Sequence, residues 1–234
     1  MSGPRSKTQF DLPAKTGAQM KHAKQVFDAL RRRYPDAHCE LNYTQPHELL
    51  IATILSAQAT DISVNKATPA LFAKFPTPQA FAKSTPEAIG PLVQTLNFWR
   101  NKSKAVHASM TRIVDVYDGA VPDTMDDLLS LRGVARKTAN VVLGNAFNIN
   151  MGVVVDTHVM RLSQRLGLTT ETDPAGIERD LMARFPKTKW TMLSHLLIFQ
   201  GRYACKARNA VCGEHPVCKR YGSTERCSCA QSAR

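Results

Sequence analysis

The residues best suited to chemistry lie in two short runs. One is Leu131-Arg132-Gly133-Val134-Ala135-Arg136-Lys137-Thr138-Ala139-Asn140-Val141-Val142-Leu143, and nineteen positions beyond its lysine stands Val155-Asp156-Thr157-His158. A lysine nucleophile with a carboxylate partner is a minimal kit for imine chemistry at a carbonyl-like carbon. To attack, the amine must be neutral, so Lys137 is expected in a cationic or partly desolvated setting. The first run reads as a helix end, a tight turn at Gly133-Val134-Ala135 and a new helix with Lys137 in its first turn. Such a turn offers backbone N–H groups which, with the helix dipole, suit a phosphate. A plain αα-corner has the same pattern. Asp156 also suits a helix N-cap ahead of Val159 and Met160, a role compatible with catalysis.

The elements that must carry these residues are helical, and the chain reads as all-α. Proline follows a capping residue at Thr77-Pro78, Thr85-Pro86 and Asp173-Pro174, each a helix start. Thr124 with Asp127 makes a near-capping box that opens a helix through Leu128, Leu129 and Leu131. Leu49 to Ala57 is apolar on nearly every face, which predicts a central helix. Val153-Val154-Val155 is too short for a sheet and reads as a buried extended lead-in to the next helix.

The chain has 234 residues, with 31 Lys plus Arg against 19 Asp plus Glu, a net charge of +12. That excess suits a polyanion, because each phosphate contact releases counterions; an ordinary basic protein is the competing reading. No apolar run approaches the roughly 18–20 residues that span a bilayer, so no membrane is expected. Residues 1–24 are basic and polar, without the apolar core of a secretory signal, and are expected to be loosely ordered. An organellar transit segment stays open.

Cys39 is isolated and reads as a small buried hydrophobe, whereas Cys205, Cys212, Cys218, Cys227 and Cys229 crowd the last 30 residues. A terminal cluster of this kind reads as a metal site rather than a disulfide framework.

The hairpin with Lys137 and the following Asp156 closely resembles the helix–hairpin–helix and aspartate of the endonuclease III family of DNA glycosylases. Three further segments resemble the same family. Leu55-Ser56-Ala57-Gln58-Ala59-Thr60-Asp61 is similar to its glutamine-inserting loop. Asn97-Phe98-Trp99-Arg100-Asn101-Lys102 is similar to its wedge segment, with core packing of Phe98 and Trp99 as the plain alternative. Gly201-Arg202-Tyr203-Ala204-Cys205 is similar to the start of its iron–sulfur loop.

The resemblance implies a six-helix barrel domain at 39–149 and a helical cluster domain formed by 25–38 and 150–234, with 1–24 as a flexible extension. It implies a bifunctional DNA N-glycosylase and abasic-site lyase of base excision repair. The damaged nucleotide is turned out of the duplex, since its glycosidic carbon is blocked inside the stack. Gln58 would fill the gap and Phe98 would wedge the far strand. Arg132, Gly133, Val134, Ala135, Lys137 and Thr138 would grip the backbone. Lys137 would attack C1′, and Asp156 would either relay a proton or stabilise the oxocarbenium-like charge. An adenine-mismatch glycosylase would lack this lysine, and oxoguanine glycosylases generally lack the cysteines, which leaves oxidised pyrimidines as the expected substrate. The expected partner is damaged or abasic duplex DNA, bound by a monomer in a bacterial cytoplasm, with an organelle or nucleus left open.

The cofactor implied is a 4Fe–4S cluster on Cys205, Cys212, Cys218 and Cys227, with Cys229 or His215 as alternative ligands and zinc as the alternative metal. The chain departs from the family pattern in four places. Arg132 stands for proline, Ala135 and Asn97 stand for glycine, and the cysteines after Cys212 are spaced differently. A DNA-binding module without catalysis and a cluster-bearing redox protein are the rival classes. The lysine–carboxylate pair argues against the first, and the lack of a dinucleotide-binding glycine loop against the second.

Overall fold

The computed structural model describes residues 10–208 and 215–223. All regular structure among them is helical. In chain order the helices are α1 (Gly17–Arg33), α2 (Pro46–Leu55), α3 (Asp61–Lys74), α4 (Pro78–Ala82), α5 (Pro86–Val93) and α6 (Trp99–Tyr117). They continue as α7 (Met125–Leu129), α8 (Arg136–Ala146), α9 (Thr157–Arg165), α10 (Pro174–Arg184), α11 (Trp190–Tyr203) and α12 (Pro216–Tyr221). The chain divides into two compact units, Cys39–Ile149 and the pair Met1–His38 with Asn150–Arg234. No described helix is long and apolar enough to cross a membrane.

In the unit Cys39–Ile149, helix starts follow local chemistry. The hydroxyls of Thr77, Thr85 and Thr124 accept from the N–H groups of Ala80, Ala88 and Asp127 at 3.2, 3.3 and 3.2 Å, opening α4, α5 and α7. Each such cap is worth about 1 kcal/mol. Helix α2 forms the centre, with Leu49, Leu50, Ile51 and Leu55 all fully buried. Helix α7 stops at Leu129, short of the expected Leu131, where the Ser130 hydroxyl turns back to donate to the Asp127 carbonyl at 2.6 Å. Cys39 is half-buried rather than buried.

In the other unit, α1 begins inside the segment expected to be flexible. A capping box sets its start: the Thr16 hydroxyl accepts from Gln19 N–H at 3.2 Å, and the Gln19 side-chain Oε1 accepts from Thr16 N–H at 3.0 Å. Lys15, just before it, pairs with Asp180 of α10. Residues 17–24 are therefore ordered helix. Val26 and Leu30 of α1, Val159 and Leu162 of α9, Leu181 of α10 and Leu193 and Leu197 of α11 share one core. Val153 and Val154 are buried without strand pairing, the Val154 N–H donating instead to the Ser194 hydroxyl at 2.9 Å.

Candidate nucleic-acid interface and catalytic residues

The turn between α7 and α8 is held from below by α6. Gly133 has φ +82°, and a Cβ there would lie 3.0 Å from Ala105 Cβ and 3.6 Å from Ile54 Cγ2. Conformation and space both require glycine. The Ser109 hydroxyl, fully buried, donates to the Arg132 carbonyl at 2.7 Å. Ser109 escapes sequence reading; its only signal is a polar residue within the apolar stripe Val106, Met110, Ile113.

Arg132 and Lys137 are exposed and Thr138 is half-buried. The Val134 side chain is buried and its N–H donates to the Leu131 carbonyl at 3.2 Å, so this turn N–H is not open to a ligand. Ala135, the N-cap of α8, has φ −98° and ψ 170° and brings no side-chain cap. Any residue adopts that conformation, so the alanine imposes no backbone strain. Where α3, α4, α5 and α7 give a threonine hydroxyl to their first turn, α8 leaves its positive pole without one. Lys137 stands exposed on that turn rather than in a desolvated recess.

Two more predicted residues lie in the same unit under local strain. Gln58 has φ +53° and Phe98 has φ +57°. A left-handed backbone costs a residue with a side chain roughly 1–2 kcal/mol and persists where its surroundings enforce it. Here the Asn97 side-chain amide donates to the Gln58 carbonyl at 3.3 Å, linking the two turns. The left-handed residue of the second turn is Phe98, and Asn97, which stands where the family has glycine, contributes its side chain. Phe98 is 61% exposed, whereas Trp99 packs on α5, its ring 2.6 Å from where a Cβ on Gly90 would lie. Half-buried packing against α5 thus describes Trp99, and exposure describes Phe98.

Asp156 belongs to the other unit. One of its carboxylate oxygens accepts from Val159 N–H at 2.8 Å, making it the N-cap of α9. Next to it, burial pushes the pKa of His158 down, opposed by the Asp156 charge. Arg161 Nη2 lies 3.2 Å from His158 Nδ1 and donates to the Gly201 and Cys205 carbonyls at 3.0 and 3.1 Å. Gly201 makes this approach of α9 and α11 feasible, since a Cβ there would meet His158 Nδ1 at 2.8 Å and His158 Cβ at 3.0 Å. Gly201→Ala is expected to destabilise the fold by about 1–3 kcal/mol, the usual range for overpacking. A melting curve checks this, and an unchanged midpoint would show that His158 swings aside freely.

Of the four predicted metal ligands, Cys212 and Cys227 lie outside the described residues. Cys205 and Cys218 are buried. A hydrogen bond with Cys218 lowers the Cys205 thiol to about 6; burial opposes this and Arg165 assists it. Arg165 Nη1 donates to Cys205 Sγ at 3.1 Å, and Gln200 Nε2 donates to Cys218 Sγ at 3.1 Å. N–H donors aimed at both sulfurs suit thiolates, the form that binds metal. His215 faces Arg33 Nε at 3.4 Å through Nε2 and Gln200 Nε2 at 3.3 Å through Nδ1, so both ring nitrogens are engaged within the unit. Among the described residues no group of three candidate ligands is arranged around one point.

Residues 51–187 match the HhH-GPD superfamily of base excision DNA repair proteins. An endonuclease III from Synechocystis sp. is 50% identical over 203 residues, covering 87% of this chain and 93% of that protein. A solved structure of a trapped endonuclease III–DNA covalent intermediate, an estranged-adenine complex, has a TM-score of 0.84 at 37% identity. It covers 92% of this chain and 99% of that one. A non-covalent endonuclease III–DNA complex has a TM-score of 0.83 at 37% identity, with 91% and 97% covered.

Proposed function

The chain belongs to the endonuclease III family within the HhH-GPD base excision repair superfamily, and on that premise we propose that Lys137 and Asp156 make it a DNA N-glycosylase and abasic-site lyase. The observation that carries this is an exposed lysine on the uncapped first turn of α8, beside a turn that Ser109 and Gly133 lock in place. The duplex backbone lies against that turn, and the flipped nucleotide brings C1′ to Lys137. The Lys137 amine forms the C1′–Nζ bond while the C1′–N bond to the damaged base breaks and the base leaves with a proton. The C1′–O4′ bond of the resulting aminal then breaks, O4′ taking a proton as the sugar ring opens, and the protonated imine so formed acidifies C2′–H. Loss of that proton breaks the C3′–O bond and with it the strand. The Asp156 carboxylate either relays a proton or stabilises the positive charge that develops on the sugar. Gln58 fills the vacated place in the stack and Phe98 wedges the opposite strand.

Cys205, Cys212, Cys218 and Cys227 would hold a 4Fe–4S cluster. When bound it supplies a four-point cross-link of the C-terminal segment and a redox-active centre. The pairing of two buried thiols with N–H donors supports this. The same reading has the protein act as a monomer on DNA in a bacterial cytoplasm.

Cleavage of duplexes carrying one oxidised pyrimidine, one oxidised purine, one abasic site or one A·G mismatch tests the reading. The first and third are expected to be cut. Cleavage of the mismatch alone would reassign the chain. Ala135→Gly probes the turn. The alanine is unstrained, so glycine gains only closer approach, and affinity for abasic-analogue DNA is expected to rise by roughly 1 kcal/mol at most, the scale of one neutral hydrogen bond. Titration binding at fixed salt measures it, and a larger gain would mean that Cβ blocks a phosphate.

A further inference from the structure

Lys102 is a buried lysine that the proposed chemistry does not use. It is 5% exposed, and its ammonium has no hydrogen-bond partner among the described residues. Burial alone pushes its pKa down, with no carboxylate acting on it. A lone buried charge is costly and is kept where some state of the protein pairs it.

Its position says which state. Lys102 shares the buried stripe of α6 with Ala105, Val106, Ser109 and Ile113. Along that stripe Ala105 meets the Gly133 turn and Ser109 holds the Arg132 carbonyl. Ile54, near the end of α2, meets the same Gly133 position. Helix α2 has no basic residue in its last turn, and its carbonyl end runs directly into the strained Gln58 turn. A cation belongs at such an end. Lys102 is also tied to the second strained turn, its backbone N–H donating to the Phe98 carbonyl at 3.0 Å.

We propose that Lys102 is the positioning residue of the two insertion turns: when Gln58 and Phe98 enter DNA, its ammonium takes the C-terminal carbonyls of α2 and fixes the Gln58 turn against the Phe98 turn. This rests on the glycosylase reading above. The free protein leaves the amine without a hydrogen-bond partner among the described residues, and lesion engagement pairs it.

Lys102→Met keeps the aliphatic stem and removes the charge. In the full chain the free protein is expected to melt at the same temperature or higher, since no pairing is lost. Affinity for undamaged duplex and its salt dependence should stay at the wild-type level. Affinity for a duplex with a tetrahydrofuran abasic analogue should fall roughly tenfold or more, the scale of one hydrogen bond to a charged group. In a Gln58→Ala background that loss should shrink toward nothing, because the turn no longer fills the stack. A lower melting temperature with equal losses on both duplexes would overturn the proposal, as would an unchanged preference for the analogue. A salt slope smaller by about one would make Lys102 a phosphate contact and overturn it too. Wild-type protein with no preference for the analogue would instead remove the glycosylase reading, so the two failures are distinguishable.

Discussion

Lys137→Gln is expected to abolish covalent trapping by borohydride on an abasic-site duplex, and strand cleavage with it. Glutamine keeps the length and helix propensity of lysine but cannot form an imine. The residue is exposed on the first turn of α8, so its replacement leaves no cavity, and stability should change by less than about 0.5 kcal/mol. The turn itself is fixed by Gly133 and by Ser109 on the Arg132 carbonyl, neither of which the substitution touches. DNA affinity should therefore be largely retained while the rate falls at least about 10⁴-fold, the scale on which loss of a covalent nucleophile is felt. A single-turnover assay beside the trapping gel separates the two. Persistent trapping would assign the chemistry to another amine. Retained base release without trapping would describe a hydrolytic glycosylase in which Lys137 only positions DNA.

The fold was legible where the determining physics is local. A threonine or aspartate followed by proline fixes a helix start through one side chain and one ring, and Thr77, Thr85 and Asp173 all do so. The central place of α2 was legible because apolar residues on every face leave no side for water. What escaped depends on partners distant in sequence. The start of α1 is followed on one side by its own capping box, but the order of the residue before it comes from Asp180, far along the chain. The left-handed backbone at Phe98 could not be read from a phenylalanine. Ser109 and Lys102 look like surface residues by type, since lysine is rarely buried. Ser109 gains its partner only from the turn packed against α6. The helix end, turn and new helix around Gly133 were legible as types and spacing. That Asp156 also caps α9 was legible as well, because capping needs nothing beyond the next three residues.

Purified protein is expected to be brown, with about four irons per chain and iron well in excess of zinc, if the cubane forms. Cys218→Ser should remove that colour and most of the iron. Cys218 is 1% exposed, hydrogen-bonded to Cys205, and receives an N–H from Gln200, whose own side chain is fully buried. A serine oxygen is a harder and shorter ligand and would leave the Cys205 sulfur facing Arg165 without its partner. Structural metal binding contributes folding free energy directly, so the unit formed by Met1–His38 and Asn150–Arg234 should lose on the order of 5 kcal/mol or more. Cys205 and Cys218 anchor α12 and the end of α11 to the core of that unit, so the loss should reach its near-ultraviolet signal as well as its iron content. The unit Cys39–Ile149 has its own core around α2 and should keep its helical signal. Colourless wild-type protein holding stoichiometric zinc would replace the cluster by a tetrahedral zinc site on the same sulfurs. Full iron in Cys218→Ser would strike Cys218 from the ligand set. Cys227→Ser and Cys229→Ser, compared side by side for iron content, then identify the fourth ligand, since only the one that binds should cost iron when its sulfur is replaced.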